Sequence, residues 1–287
     1  LPSFAPLSEP TARRQPETVL TIAGHDPSSG AGITADLQTF AAHGLFGTSA
    51  ITALTVQSTL GVAEIRLVDP ALLARTLDHL AADLPPAGVK IGMLGSAAIV
   101  ETVAAFLEQG IHRDSPNSSP FAPIPVVLDP ILRASSGASL LDPAALETLH
   151  TRLLPHVTWI TPNWPELSAL TELPIRTLAE AEAASHALAA RQPHLHIVAT
   201  GGDQTQPTDL LRLPTGEVHL FTGEHIATAS THGTGCAFSS ALLSRLVLGD
   251  TPVAAVHAAK RYVAEALRRA PGLGHGRGPL NLLWPLR

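Results

Sequence analysis

The run Thr18-Val19-Leu20-Thr21-Ile22-Ala23-Gly24-His25-Asp26-Pro27-Ser28-Ser29-Gly30-Ala31-Gly32-Ile33 decides the fold class. Residues 18–23 are β-branched or apolar and stop at Gly24, as a buried strand does. A polar, glycine-containing turn follows. Ile33, Leu37, Phe40 and Ala41 then recur at helical spacing, and Gly44 ends the pattern. This is a strand, a turn and a helix in close succession.

The rhythm repeats along the chain. Strands are expected at Thr48–Val56, Val62–Val68, Val89–Gly92, Pro125–Leu128, Val157–Ile160 and His196–Ala199. Leu210–Leu213 and Glu217–Phe221 read as a hairpin across Pro214-Thr215-Gly216. Helices are expected from Asp69-Pro70 to Leu84, over Ala97–Leu107, from Asp142-Pro143 to Leu154, after Asn163, over Leu178–Arg191, after Gly235, and over Pro252–Arg268. The strands are near-continuous apolar runs. Alternation of this kind predicts an α/β fold with a mostly parallel sheet covered by helices on both faces. Residues 1–17 read as a flexible extension and residues 18–287 as a single domain. Ligands of such sheets bind at the carboxyl ends of the strands, so the polar residues there are the ones to watch.

Composition removes several function classes. A single cysteine, Cys236, supplies neither an intrachain disulfide nor a multi-thiolate metal site. A net charge of −6 leaves no basic footprint for nucleic acid. Apolar residues at 45% are too many for a disordered chain. The apolar runs are too short to span a bilayer, and the proline-broken N-terminus lacks a signal-peptide core, so a cytoplasmic protein is expected. The fourteen histidines are scattered, and His194 and His196 are read as strand neighbours on opposite faces, unsuited to one metal.

Three constellations carry chemistry. Thr231-His232-Gly233-Thr234-Gly235-Cys236 leads into a helix, so Gly233, Thr234 and Gly235 fit an anion hole built from free N–H groups and the helix dipole. The alternative is an ordinary glycine loop. Cys236 in the first turn has the placement that lowers a thiol pKa, making it a candidate base, or it is a small core residue. Asp129, Asn163 and Glu166 at strand ends suit a hydrated Mg²⁺ held with a nucleotide, although Asn163 and Glu166 also have capping-box spacing. Gly24–Gly32 is not a G-x-G-x-x-G fingerprint, and no G-x-x-x-x-G-K-[ST] occurs.

Taken in order, six further segments accompany Thr21–Leu37: Ile51–Gln57, Lys90–Leu94, Val127–Pro130, Thr161–Glu166, Thr231–Cys236 and Gly274-His275-Gly276-Arg277-Gly278-Pro279. Together they resemble the hydroxymethylpyrimidine/phosphomethylpyrimidine kinases of thiamin biosynthesis, members of the ribokinase-like superfamily. The resemblance runs through nearly the whole chain. It implies a three-layer α/β/α fold, ATP and Mg²⁺ as cofactors, and phosphorylation of 4-amino-5-hydroxymethyl-2-methylpyrimidine and then of its monophosphate. It implies an anion hole at Gly233, Thr234, Gly235 and Cys236, with Cys236 as base. It also implies Mg²⁺ at Asp129 and Glu166, and a nucleotide near Asn163, Thr200 and Gly202. The pyrimidine would be surrounded by Gly24, Asp26, Ala31, Gln57 and Met93. Lys260 would neutralise phosphate, and the family suggests a homodimer. Pyridoxal/pyridoxamine kinase and a weakened, pyrimidine-binding regulatory homologue are the alternatives. Departures from the family pattern are Thr200 where a lysine is common, His25 where Ser or Thr is usual, and Ser135 for a lysine or threonine, with Arg133 two residues earlier.

Overall fold

A computed structural model describes residues 15–110, 124–132, 143–202, 204 and 206–286. The opening strand β1 is Thr18–His25, followed by α1 (Gly32–Ala42). The edge hairpin is β2 (Phe46–Ser58) and β3 (Gly61–Leu67). Then come α2 (Pro70–Asp83), β4 (Val89–Ile91), α3 (Ala97–Glu108), β5 (Val126–Leu128), α4 (Pro143–Thr148) and β6 (Trp159–Ile160). The second half holds α5 (Trp164–Thr171), α6 (Leu178–Arg191), β7 (His196–Ala199), β8 (Thr208–Arg212), β9 (Val218–Thr222), α7 (Thr234–Val247) and α8 (Pro252–Arg268).

The nine strands form one sheet in the order β3-β2-β1-β4-β5-β6-β7-β8-β9. The central pairs from β2 to β7 are parallel, and β3, β8 and β9 add antiparallel edges. Side-chain alternation splits the core into two layers. Leu20, Ile22, Val126, Leu128 and Ile160 face the layer of α2, α3, α5 and α6. Val19, Val127, Trp159 and Val198 face α1, α7 and α8. This is the three-layer α/β/α architecture expected.

Local chemistry sets the element ends. Asp69 accepts from the Leu72 N–H at 2.9 Å and Pro70 follows it, fixing the start of α2. The helix expected to run to Leu154 is regular only to Thr148. It widens into a π turn over Leu149–Leu153 and tightens into a 3₁₀ turn at Leu154–His156, where Pro155 has no N–H to continue the ladder. Asp142, Arg133, Ser135 and most of the loop expected at Asp114–Pro125 lie outside the described residues.

The histidine expectation needs correcting in its reason. Residues two apart on a strand share a face, and His194 in fact precedes β7. Its Nε2 faces the carbonyls of Leu154 and Val157, whereas His196 stacks on Trp159 with centroids 4.1 Å apart. Among the described residues, no helix is long and apolar enough to cross a membrane.

Candidate active site

The carboxyl ends of β1, β4, β5 and β6 point toward the start of α7. Gly233 caps that helix at φ 84°, with no side-chain cap bond. A Cβ on Gly233 would lie 1.9 Å from the Gly30 carbonyl oxygen. Only glycine satisfies both the left-handed conformation and this contact. The first-turn N–H groups, at Thr234 and Gly235 among others, are thus left without a capping side chain at the positive end of the helix dipole.

Asp129 lies beside this turn. A Cβ on Gly235 would be 3.5 Å from Asp129 Oδ2, and Ser239 Oγ donates to the same oxygen at 3.4 Å. Burial lifts the Asp129 pKa to about 6, Asp36 adds to the rise, and Lys90 opposes it. Burial and the nearby Asp129 charge push Glu166 to about 8. Glu166 also completes the capping box: its carboxylate accepts from the Asn163 N–H at 2.9 Å, and Asn163 Oδ1 accepts from the Glu166 N–H at 2.9 Å. The capping-box spacing of this pair is therefore realised. Two carboxylates that repel one another, Asp129 buried and Glu166 half-buried, fit a hydrated divalent cation, whose charge would relieve both.

The expected lowering of the thiol pKa is reversed. Cys236 is buried, and burial pushes its pKa up to about 12 despite the positive potential of Lys90. Desolvation of the thiolate outweighs the helix N-terminus here.

Beneath the turn runs a charged network that sequence reasoning missed. Asp36 accepts from Thr21 Oγ1 at 2.6 Å, Lys90 Nζ at 2.9 Å and Ser240 Oγ at 2.8 Å. Asp36 and Lys90 are both fully buried. Burial alone would discharge Lys90, but Asp36, together with Cys236 and Asp129 close by, more than offsets it and keeps the ammonium charged. The available signal was a lysine inside the apolar run of a doubly covered strand.

Five other expected residues converge on the other side of the turn. A Cβ on Gly24 would sit 3.2 Å from Met93 Sδ, so Met93 covers Gly24. Asp26 accepts from the Ser28 N–H (2.8 Å), Ser28 Oγ (2.7 Å), the Ala31 N–H (3.0 Å) and His232 Nε2 (2.7 Å). Burial would raise its pKa, but the bonds from His232 and Ser28 hold it below the usual carboxylate range. The Gln57 amide lies 3.1 Å from His232 Nε2. His232 is a second missed residue, hidden inside a motif read for its glycines.

Thr200 bridges to Asn163, its N–H donating to the Pro162 carbonyl at 2.9 Å. Gly202 is exposed, and a Cβ there would meet nothing within 4 Å. Lys260 is tied to Asp209 at 2.6 Å, and Asp209 also accepts from the Gly201 N–H at 3.0 Å. Lys260 therefore belongs to the Thr200–Gly202 side of the site, linked to it through Asp209.

Comparison with known proteins is decisive at this point: the family model of phosphomethylpyrimidine kinase matches residues 26–281. The chain belongs to the phosphomethylpyrimidine kinase family. It is 38% identical to a hydroxymethylpyrimidine/phosphomethylpyrimidine kinase of Synechococcus elongatus, covering 93% of this chain and 97% of the relative. The corresponding Escherichia coli kinase is 41% identical, covering 91% and 96%. A phosphomethylpyrimidine kinase structure from Clostridium difficile aligns with a TM-score of 0.73 at 32% identity, covering 87% and 99%. The pyridoxal kinase of Staphylococcus aureus in complex with ADP aligns with a TM-score of 0.81 at 26% identity, covering 94% of each chain. A phosphomethylpyrimidine kinase is a phosphotransferase, and the ribokinase-like fold expected from sequence is the fold of these neighbours.

Proposed function

We propose that this kinase transfers phosphate from ATP to 4-amino-5-hydroxymethyl-2-methylpyrimidine and then to its monophosphate, in thiamin biosynthesis. The observation that carries the reading is the uncapped, glycine-led start of α7. It lies between the Asp129 and Glu166 carboxylates on one side and the Gly24, Met93 and Gln57 group on the other.

Phosphoryl transfer asks for alignment and for stabilisation of spread negative charge. The N–H groups of Thr234 and Gly235 would meet the transferred group. Asp129 and Glu166 would hold Mg²⁺, which neutralises phosphate charge when bound. Asn163, Thr200 and Gly202 would flank the nucleotide, with Lys260 behind them. Gly24, Met93, Ala31 and Gln57 would wall in the ring, with Asp26 shaping the loop, since its four bonds already fill both oxygens. Cys236 is the base proposed for the alcohol. Only its thiolate can take the alcohol's proton, and with the thiol pKa pushed up to about 12 that form is the minor one at neutral pH. The monophosphate arrives as an anion and needs no such help.

Residues 18–287 are read as one kinase domain acting in the cytoplasm. The exposed Leu54, Val56 and Leu67 on the β2–β3 edge support a homodimer. Measuring ADP release with the pyrimidine, its monophosphate and pyridoxal in turn tests the reading. The pyrimidines should show the highest kcat/KM. A higher value with pyridoxal, or pyrimidine binding without ADP release, would replace it.

A further inference from the structure

His232 immediately precedes the left-handed Gly233, and its ring is nearly buried. The ring is wedged between two segments. A Cβ on Gly30 would lie 2.2 Å from His232 Cδ2, and the Gly30 carbonyl packs on Gly233. Nε2 faces Asp26 Oδ2 at 2.7 Å and the Gln57 amide at 3.1 Å.

The bonding chemistry allows one arrangement. An ionised carboxylate only accepts, so Nε2 carries a proton, whether the ring is neutral or cationic. That proton also faces the Gln57 amide. An NH₂ group there would set donor against donor. A half turn about the terminal torsion exchanges the amide's nitrogen and oxygen without moving anything else. The oxygen then faces His232, and the NH₂ donates to Thr55 Oγ1, which lies 3.1 Å from the amide. The Thr55 hydroxyl still donates to the His25 carbonyl at 2.9 Å. His232 Nε2–H, the Gln57 amide and the Thr55 hydroxyl then each donate to an acceptor.

We propose that His232 is a positioning residue: its Nε2–H sets the orientation of the Gln57 amide, and so the donor and acceptor pattern offered to the substrate ring. The proposal rests on the kinase reading above, with the ring bound beside Gln57.

Three variants and one spectrum test it. His232→Gln keeps a donor near the Nε2 position, whereas His232→Leu removes it. His232→Leu should raise KM for the aminopyrimidine by about tenfold or more, while kcat and the KM for ATP change by less than about threefold. His232→Gln should recover most of that loss. On a Gln57→Ala background, His232→Leu should add less than about twofold, because its effect runs through Gln57. Full additivity, or a loss shared equally by kcat and the KM for ATP, would overturn the proposal. NMR of nitrogen-labelled histidine in the wild-type protein needs neither turnover nor a folded variant. A protonated Nε2 at His232 is expected, and a ring protonated only at Nδ1 would overturn the proposal. If the wild type fails to turn over the pyrimidine, the kinase reading falls, and the spectrum still decides the state of His232.

Discussion

Replacing Glu166 by Gln should flatten the alkaline loss of stability of the ligand-free protein. Burial and the neighbouring Asp129 charge lift Glu166 from its ordinary 4.5 to about 8. A carboxyl with a raised pKa holds its proton more tightly in the folded state. The fold is therefore penalised increasingly as pH climbs from 4.5 to about 8, and by a constant amount above that. At about 1.4 kcal/mol per unit, with the charge shared between two coupled carboxylates, the full penalty is on the order of 3–5 kcal/mol. For a chain of this length that corresponds to roughly 5–8 °C in Tm. Glu166→Gln removes the charge and keeps an oxygen to accept from the Asn163 N–H. Thermal unfolding between about pH 5 and about pH 9 should therefore show the wild type losing about 5 °C more than the variant. Millimolar Mg²⁺ should raise the wild-type Tm more at the alkaline end and leave the variant nearly unchanged. Parallel pH profiles for the two proteins, or equal Mg²⁺ shifts, would refute the reasoning that Asp129 and Glu166 form one strained, cation-seeking pair.

Four further outcomes follow from the same geometry. Lys90→Met strands the Asp36 charge in the core and should cost about 3–5 kcal/mol in urea unfolding, with part recovered when Asp36→Asn is added. Gly233→Ala forces a side chain into left-handed backbone against the Gly30 carbonyl; it should cut turnover by about a hundredfold or more by displacing the anion-hole donors, read from initial rates. Cys236, buried and pushed up to about 12, should react with iodoacetamide far more slowly in the native than in the unfolded protein. Cys236→Ala should slow the first phosphorylation more than the second, and equal losses would remove the base role.

Much of this was legible from periodicity and from glycine. Thr18–Ala23 followed by Ile33, Leu37 and Phe40 predicted the first strand and helix, which form as β1 and α1. The uncapped start of α7 was legible because Gly233, just ahead of the helix, has no side chain to bond its first N–H groups. Burial was not legible. Cys236 has the sequence position of an activated thiol, but the packing around it reverses the shift. The Asp36–Lys90 pair is split across 54 residues, and only the parallel pairing of β1 with β4 brings the two halves together. His232 gave no periodic signal, since its partners lie on a loop and on β2, far away in sequence. The 143–154 helix was read too regular, because Pro155 acts back on the turn before it.

The central claim is that two phosphates are placed in turn on one aminopyrimidine. Product identification by phosphorus NMR and mass spectrometry tests it most directly, with wild-type protein, ATP, Mg²⁺ and the pyrimidine alcohol. The account predicts that the monophosphate appears first and the diphosphate follows, with one ADP released per phosphate transferred. Absence of any phosphorylated pyrimidine, in a preparation that converts pyridoxal to its phosphate, would contradict it.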